Sequence, residues 1–304
     1  MKKFRGVFPA IVAPQDDSNE ILFDVMGDLA KRQVEDGAGG FLVNGHTGEL
    51  SLLTGDERRE AIKTVRAAVG RNVPIIAGVH TQGLGEKFSG QAESAAECGA
   101  DAILVFSPFS FARGAFQYAP EAVVDYYRQA SEQTPIPMWF MQYRPLTNLM
   151  MPRHVLSEIA ALPNVVGIKQ EVEDDIEYER DLVAIRETSP DLTVFSATDC
   201  GLLGNYVLGA DGCTIGLANF VKPVKALQDA VWANDLERAR EASLQLMPLS
   251  DAIYGKPSYR WSSRLKYALN AAGYITTPNI RLPLFPARRE EREAIDAVLA
   301  GYID

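Results

Sequence analysis

The chain has 304 residues, of which 47% are hydrophobic and 23% are charged, a balance typical of a globular protein with a sizeable core. Its net charge of −10 and the lack of a long basic run argue against a nucleic-acid partner, because phosphate binding needs a concentrated lysine or arginine face. No apolar run approaches the roughly 18 residues that span a bilayer, and Pro9 and Pro14 follow the basic start where a signal peptide would have its apolar core. The three cysteines, Cys98, Cys200 and Cys213, are too few and too widely spaced for a disulfide framework. We therefore interpret them as small buried hydrophobic residues and expect a cytoplasmic protein.

Short apolar runs alternate along the chain with stretches of helical periodicity. The predicted strands are Gly6–Val12, Gly40–Asn44, Pro74–Val79, Ala102–Phe106, Met138–Tyr143, Val165–Lys169, Thr193–Ser196 and Gly212–Ile215. Helices are predicted near residues 23–36, 56–69, 85–98, 119–132, 152–161, 175–188, 199–208 and 220–233. This alternation predicts an α/β fold, a (β/α)8 TIM barrel. A doubly wound open sheet is the alternative, and it is disfavoured because no Gly-x-Gly-x-x-Gly follows the first strand.

The residues after about 234 change character. They predict three further helices, Leu236–Met247, Ser263–Ala272 and Glu290–Tyr302, which are separated by prolines. We therefore expect a catalytic barrel over residues 1–233 and a C-terminal helical extension over residues 234–304. Such an extension could cap the barrel or line a subunit contact.

Lys169 ends an apolar run that begins at Asn164 and that predicts a buried parallel strand. Desolvation lowers the pKa of an amine toward neutrality, and a neutral amine is a nucleophile that forms a Schiff base with a carbonyl compound. The alternative is a lysine whose side chain extends from the strand end into solvent. The acidic run Glu171–Asp175 is expected to cap the next helix, with Glu171 close enough to Lys169 to act on its charge.

Polar residues also follow other predicted strands, at the rim where active sites of such barrels lie. The turn Gly45–Gly48 could point consecutive backbone N–H groups at a carboxylate, or it could be an ordinary turn before a helix. Tyr143 ends a strand that we expect to lie opposite Lys169. Its phenol could relay protons, or its hydroxyl could simply bond to the backbone.

Two of the three histidines, His46 and His80, lie at predicted strand ends, and Thr81 and Gln82 follow the second of them. An acid–base role for one histidine competes with a structural role. A metal site would need a further ligand, and the chain has neither an HxH nor an HExxH spacing. We therefore predict no metal and no cofactor.

Several segments together carry a resemblance to a known family. They are Gly45-x-Thr47-Gly48-Glu49, Tyr143, Val166-Gly167-Ile168-Lys169 and Leu265-Lys266-Tyr267-Ala268-Leu269-Asn270. Over nearly the whole chain, the sequence resembles the dihydrodipicolinate synthase and N-acetylneuraminate lyase family, class I aldolases that form a Schiff base with pyruvate. The resemblance implies a (β/α)8 barrel with a C-terminal helical extension and a homo-oligomer, either a tetramer or a dimer.

Residue roles follow from the same resemblance. It implies that Lys169 is the Schiff-base lysine and that Tyr143 is the phenol that relays protons. It also implies that the turn holds the carboxylate of a pyruvate-like substrate. The expected catalytic residues are Lys169, Tyr143, His46 and Thr47, and the expected substrate-binding residues are Gly45, Thr47, Gly48, Arg144 and Thr214.

Three segments depart from the family pattern. His46 stands before the motif threonine, where the family usually has serine or threonine. The loop after the fourth strand, Ser107–Phe111, lacks the tyrosine of the synthases, and Arg144 directly follows the catalytic tyrosine position. We expect an imidazole to replace the hydroxyl relay and Arg144 to provide a new carboxylate or hydroxyl contact.

The sequence thus predicts a carbon–carbon or carbon–oxygen lyase, an aldolase or a dehydratase, that acts on pyruvate or a related 2-oxo (sugar) acid. One alternative is 4-hydroxy-tetrahydrodipicolinate (dihydrodipicolinate) synthase itself. Another is a non-catalytic protein that binds a 2-oxo acid on the same barrel. The weakest alternative is a metal-dependent enzyme that uses His46 and His80. The second substrate, the direction of reaction and the pathway are not specified by the sequence.

Overall fold

The computed structural model describes residues 4–80, 84 and 86–300. The strands within them are β1 (Gly6–Pro9), β2 (Phe41–Val43), β3 (Ile75–Val79), β4 (Ala102–Val105), β5 (Met138–Gln142), β6 (Val165–Gln170), β7 (Thr193–Ser196) and β8 (Gly212–Ile215). The α-helices are α1 (Phe23–Glu35), α2 (Gly55–Val69), α3 (Glu86–Glu97), α4 (Ala115–Tyr118), α5 (Pro120–Gln133), α6 (Arg153–Ala160), α7 (Asp175–Thr188), α8 (Leu202–Val207), α9 (Val221–Trp232), α10 (Leu236–Tyr254), α11 (Trp261–Ala271) and α12 (Arg289–Leu299). Short 3-10 helices lie at Leu50–Leu52, Phe109–Arg113, Pro145–Thr147, Leu217–Asn219 and Ser258–Arg260.

The strands form one parallel sheet in the order β1-β8-β7-β6-β5-β4-β3-β2. The two edges of the sheet meet, because the backbone N–H of Ile11 donates to the carbonyl of Leu42 at 3.1 Å and that of Gly39 donates to Val7 at 2.8 Å. The predicted (β/α)8 TIM barrel with additional C-terminal helices is therefore confirmed. All strands end at one rim, which gathers the residues that follow them.

Four strands end earlier than the sequence predicts, β4 and β5 by one residue each, at Val105 and Gln142. β1 stops at Pro9 and not at Val12, because its register with β8 ends there. Ala10 still donates its N–H to Ile215 at 3.2 Å and forms only an isolated bridge with Leu42 of β2. β2 stops at Val43, because Asn44 adopts the left-handed conformation with φ 57°. The left-handed residue turns the chain away from the sheet at the point where the candidate anion-binding turn begins.

The helix boundaries show where tertiary packing overrides local signals. α10 runs through Pro248 to Tyr254, whereas the sequence predicts an end at Met247. Leu249 and Ile253 are fully buried in this added stretch, and their packing offsets the hydrogen bond that proline removes.

Other differences concern loops at the rim. Helix α8 begins at Leu202, three residues after the predicted start at 199, because Gly201 takes φ 77° in front of it. The 3-10 helix Phe109–Arg113 and the short helix α4 occupy a stretch that the sequence analysis treats as a loop. The predicted end of the last helix at Tyr302 lies outside the described residues.

Aromatic side chains fill the floor of the barrel. Phe8, Trp139 and Phe195 are fully buried there, and the Phe195 ring centroid lies 4.8 Å from that of Phe8 and 4.9 Å from that of Trp139. Gly167 of β6 faces this floor, since a Cβ at that position would come within 2.4 Å of the Trp139 ring. Because strand side chains alternate in direction, Lys169 points the same way one step closer to the rim.

The C-terminal helices share the core of the barrel. Helix α10 packs against α8 and α9, and Ile253 and Leu265 of the extension belong to the same buried cluster as Ile215 and Leu217 of the barrel. No helix in the described part of the chain is both long and apolar enough to cross a membrane.

Candidate active site

A cavity of about 570 Å³ opens at the C-terminal rim of the barrel. Its size is within the range of small-molecule sites. The polar residues that line it include His46, Thr47, Tyr143, Arg144, Lys169, Glu171, Glu173, Asp199 and Tyr254. The apolar part of the lining includes Met141, Leu146, Leu149, Ile215 and Trp261. Barrel strands, rim loops and the helical extension thus meet around one space.

Lys169 lies in β6 between Met141 of β5 and Phe195 of β7. Its residue exposure is 7%, and its amine makes no hydrogen bond or ion pair with another described residue. Desolvation lowers the pKa of Lys169, while the nearby carboxylates of Glu171 and Asp199 raise it. The desolvation dominates, which favours the neutral amine that a nucleophile requires.

Tyr143 follows β5, the strand next to Lys169 in the sheet, and not a strand on the opposite side of the barrel as the sequence analysis expects. Its hydroxyl oxygen accepts a hydrogen bond from the backbone N–H of Ser107 at 3.2 Å. The phenolic O–H itself has no acceptor among the described residues. Burial raises the pKa of Tyr143, so the phenol remains protonated and can donate into the cavity.

The loop after β4 provides a second hydroxyl pair. The side chain of Ser107 lies 2.8 Å from the hydroxyl of Tyr127, which comes from α5. Burial raises the pKa of Tyr127 well above the usual value for tyrosine. This hydroxyl pair lies behind Tyr143, and the link between the pair and the Tyr143 phenol is the backbone N–H of Ser107 and not a hydroxyl group.

The turn Gly45–Gly48 presents free backbone donors. Among the hydrogen bonds of the described residues, none is donated by the N–H groups of these four residues, whereas the next two amides bond back into the turn. Thr47 is buried and lines the cavity. Gly48 packs so closely on β1 that an added Cβ would lie 3.0 Å from the carbonyl oxygen of Ile11. Such consecutive free amides are suited to hold an anion.

His46 is exposed where it lines the cavity, and its ring centroid lies 4.4 Å from that of Phe106 and 6.3 Å from that of Tyr143. Its position deep in the barrel mouth desolvates the imidazole, and the charge of Lys169 adds to this effect. Together they lower the pKa of His46 to about 3. His46 is therefore neutral at pH 7, so any proton relay through it begins from imidazole and not from imidazolium.

His80 lies near His46, and desolvation lowers its pKa as well. Thr81 and Gln82, which the sequence analysis places at the same strand end, lie outside the described residues. Over the part of the chain that the structure describes, no group of three or more histidine, cysteine or acidic side chains could hold a metal ion. That no metal or cofactor is required stays a prediction.

Arg144 forms the charged wall of the cavity with two glutamates. Its Nε and Nη2 donate to Glu171 Oε1 at 2.9 and 2.6 Å, and its Nη1 lies 2.9 Å from Glu173 Oε1. The residues of the acidic run Glu171–Asp175 have different roles. Asp174 caps α7 by accepting a hydrogen bond from the N–H of Glu177 at 2.9 Å, as predicted for the run. Glu171 pairs with Arg144 and does not cap the helix.

Two residues that line the cavity, Asp199 and Tyr254, were not predicted from the sequence. Asp199 Oδ1 accepts from the backbone N–H of Leu217 at 2.8 Å, and desolvation raises the pKa of this carboxyl to about 6. The Tyr254 hydroxyl lies beside Asp199 without meeting the geometry of a hydrogen bond. Asp199 follows β7, so it could have been predicted by the same criterion as Lys169, a polar residue at the end of a barrel strand. Tyr254 is the last residue of α10, and no local sequence pattern indicates that it reaches the cavity.

Three further expectations concern less central residues. Thr214 of β8 is fully buried, and its hydroxyl has no partner among the described residues. Thr214 is not among the residues that line the cavity, whereas the next two residues, Ile215 and Gly216, are. Cys98 and Cys213 are buried as predicted. For Cys200 the prediction is wrong, because the residue is exposed in the loop after β7, where it lines the cavity.

Comparisons with known proteins agree with this architecture. The model of the Dihydrodipicolinate synthetase family matches residues 3–301. A 4-hydroxy-tetrahydrodipicolinate synthase of Jannaschia sp. (strain CCS1) is 30% identical over 298 residues, which cover 97% of each chain. The synthase of Geobacter metallireducens is 27% identical and covers 98% of this chain and 99% of its own.

Solved structures give the same result. A dihydrodipicolinate synthase from Thermotoga maritima superposes with a TM-score of 0.89 at 28% identity and covers 99% of both chains. A monomeric dihydrodipicolinate synthase variant has the same TM-score and identity and covers 99% of this chain and 97% of its own. With the family model over nearly its whole length, this chain belongs to the dihydrodipicolinate synthetase family and is a lyase of the class I aldolase type.

Proposed function

We propose that the protein is a Schiff-base-forming lyase that acts on pyruvate or a related 2-oxo acid through an imine at Lys169. The observation that carries the proposal is a buried lysine with a lowered pKa and no partner among the described residues, next to a phenol that is free to donate. Family membership supports this chemistry.

In this mechanism the neutral Nζ of Lys169 attacks the C2 carbonyl of the 2-oxo acid, and water leaves as the imine forms. Tyr143 would give a proton to the departing oxygen and take one back when the imine is hydrolysed. The free N–H groups of the turn Gly45–Gly48 would hold the C1 carboxylate, which fixes the carbonyl carbon in front of the amine.

The protonated imine is the electron sink for the next step. In the cleavage direction the C3–C4 bond of a 4-hydroxy-2-oxo acid breaks, its electron pair moves toward the imine nitrogen, and the C4 hydroxyl loses its proton to give an aldehyde. Protonation of the enamine at C3 and hydrolysis then release pyruvate and free Lys169. The reverse sequence joins pyruvate to an aldehyde, with no change in the overall oxidation state.

A second candidate is 4-hydroxy-tetrahydrodipicolinate synthase itself, which the names of the relatives favour. The segments around the cavity weigh against it. The loop at Ser107–Phe111 carries no tyrosine, and Arg144, which follows the phenol, is engaged by Glu171 and Glu173. An aldolase or dehydratase with another second substrate therefore fits these residues better.

The direct test is reductive trapping of the imine. The purified protein is incubated with pyruvate and cyanoborohydride, digested, and mapped by mass spectrometry. We expect a carboxyethyl adduct on the peptide that contains Lys169. Lys266 is the internal control, because it is also buried and desolvated but is paired with Glu49.

The variants Lys169→Ala and Lys169→Arg should lose the adduct and the turnover while keeping the far-UV circular dichroism of the parent protein. If no 2-oxo acid gives an adduct on Lys169, the proposal is wrong. Binding of a 2-oxo acid without any adduct would instead support a non-catalytic binding protein on the same barrel.

Three further statements stay predictions. We propose that the protein is a homo-oligomer in the cytoplasm, and the monomeric variant among the structural neighbours makes size-exclusion chromatography with light scattering the relevant measurement. We also propose 233/234 as the boundary between the barrel and its extension. It falls between α9, which ends at Trp232, and α10, which begins at Leu236.

A further inference from the structure

Two groups at the cavity could hold an anion. The free amides of the turn Gly45–Gly48, which follows β2, suit a single carboxylate. Arg144, which follows β5 three strands away in the sheet, is the only arginine among the described residues that line the cavity. Whether Arg144 is available therefore decides whether a substrate with a second carboxylate can bind.

Arg144 is already engaged. All three of its guanidinium nitrogens face carboxylate oxygens, two of them Glu171 Oε1 and the third Glu173 Oε1, at 2.6–2.9 Å. The side chains of Arg144 and Glu171 are only 27% and 18% exposed, so the pair is largely shielded from water. Separating such a pair to admit another anion would leave a partly buried carboxylate without its partner.

The charge balance of this wall adds a second argument. The ionisable side chains that line the cavity are Arg144, Lys169, Glu171, Glu173 and Asp199, so acidic groups outnumber basic groups by three to two. The protonated imine at Lys169 carries one positive charge, which the C1 carboxylate of the substrate balances, and His46 is neutral. A distal carboxylate would therefore meet an excess of acidic side chains, and like charges brought together oppose binding.

The remaining surface of the cavity is suited to an uncharged group. Leu146, Leu149 and Trp261 provide apolar contact. Tyr254 lines the same space, while its hydroxyl oxygen is buried beside Asp199.

From these contacts we infer that Arg144, Glu171 and Glu173 form a specificity-determining cluster that selects 2-oxo acids with a single carboxylate and an uncharged chain beyond C3. The cluster acts by exclusion, because the arginine that could accept a second carboxylate is held by two glutamates of the same chain. The inference rests on the proposed function for its C1 carboxylate and its imine, and it adds the class of substrate. Glu171 also raises the pKa of Lys169, so the role of the cluster in specificity is measured by the ratio between two substrates and not by the rate of imine formation.

The test compares two acids of equal carbon number. One is 2-oxoglutarate, and the other is 5-hydroxy-2-oxopentanoate, in which a hydroxymethyl group replaces the distal carboxylate. Both are offered together with cyanoborohydride, and the two Lys169 adducts are counted by mass spectrometry. Both acids compete for the same amine in one sample. The adduct ratio of a variant can therefore be compared with that of the wild type even if the two proteins form imines at different overall rates.

The wild-type protein should favour the hydroxylated acid by at least about tenfold. The double variant Glu171→Gln/Glu173→Gln frees Arg144 and keeps the side-chain shapes, so the ratio should move toward 2-oxoglutarate by about tenfold or more. The single variant Glu173→Gln should move it in the same direction by less. Glu179→Gln, on the exposed face of α7, is the matched control and should keep the wild-type ratio.

The outcomes separate this inference from the proposed function. Equal trapping of both acids by the wild-type protein, or a ratio that does not change in either glutamate variant, overturns the specificity inference while pyruvate adducts on Lys169 still support the lyase. Absence of any Lys169 adduct, including one with pyruvate, overturns the proposed function and the inference that rests on it.

Discussion

Two buried lysines show how environment decides the chemistry of one residue type. Lys169 and Lys266 both have a pKa that desolvation lowers. Lys266 is paired with Glu49 and donates to the carbonyl of Asn279 at 3.0 Å, so its ammonium form is stabilised. Lys169 has no partner among the described residues and faces a cavity, which leaves its lone pair available when the amine is neutral.

After desolvation and Glu171, Asp199 is a further influence on how much of Lys169 is neutral. Its carboxylate, ionised above its pKa of about 6, stabilises the ammonium form and raises the pKa of Lys169. In Asp199→Asn this charge is absent at every pH, so the pKa of Lys169 falls and the neutral fraction at pH 7 grows. We expect the pH midpoint for adduct formation with pyruvate to shift to lower pH in this variant.

The measurement is the rate of cyanoborohydride-trapped adduct formation between pH 5 and 9, with unreacted protein counted by intact mass. Asp191→Asn is the control, since Asp191 is exposed in the turn before β7, at the opposite end of the barrel from the cavity. A midpoint that stays in place or rises in Asp199→Asn would contradict the electrostatic role assigned to this carboxylate.

At the scale of elements, the turn after β2 is tied to the helical extension. Glu49 ends this turn with φ 57° and forms a buried ion pair with Lys266 of α11, and the side chain of Gln15 donates to its second oxygen at 2.8 Å. Both charged side chains are only 1% exposed. The extension therefore helps to hold the backbone of the candidate carboxylate site.

The variant Lys266→Met tests this connection. Methionine fills a similar volume but leaves Glu49 buried without a cation, and breaking one side of a buried ion pair costs about 3–5 kcal/mol. We expect a loss of that order in the free energy of unfolding by urea, together with weaker binding of pyruvate. The double variant Glu49→Gln/Lys266→Met should regain at least half of the loss, because no buried charge then remains unpaired. A double variant no more stable than Lys266→Met would show that the cost comes from packing and not from charge.

At the scale of the whole molecule, local sequence signals explain the barrel better than they explain the cavity wall. The apolar run before Lys169 and the strand end at Tyr143 are local features, so both residues could be predicted, as could the parallel strands that carry them. The pairing of Arg144 with Glu171 depends on the register that sets Gln142 beside Gln170, which no local pattern contains.

The contribution of the extension was also beyond local prediction. Tyr254 reaches the rim because α10 continues past Pro248, and its hydroxyl approaches so closely that a Cβ on Gly216 would lie 2.1 Å from it. Proline is ordinarily a signal for a helix end. Only the burial of Leu249 and Ile253 against the barrel explains why the helix continues.

This shared core predicts that barrel and extension unfold together, although the sequence divides them at residue 234. Trp139 reports on the barrel floor and Trp261 on the start of α11, so Trp232→Phe/Trp261→Phe and Trp139→Phe/Trp232→Phe each leave one reporter. Within each variant, we expect the fluorescence transition in urea to coincide with the transition in far-UV circular dichroism, as in a single cooperative unit. Comparing two probes within one protein removes the effect of the substitutions on overall stability. A Trp261 transition at lower urea than the circular dichroism of the same variant would mean that the extension unfolds first and that its contacts with the barrel are weaker than their burial indicates.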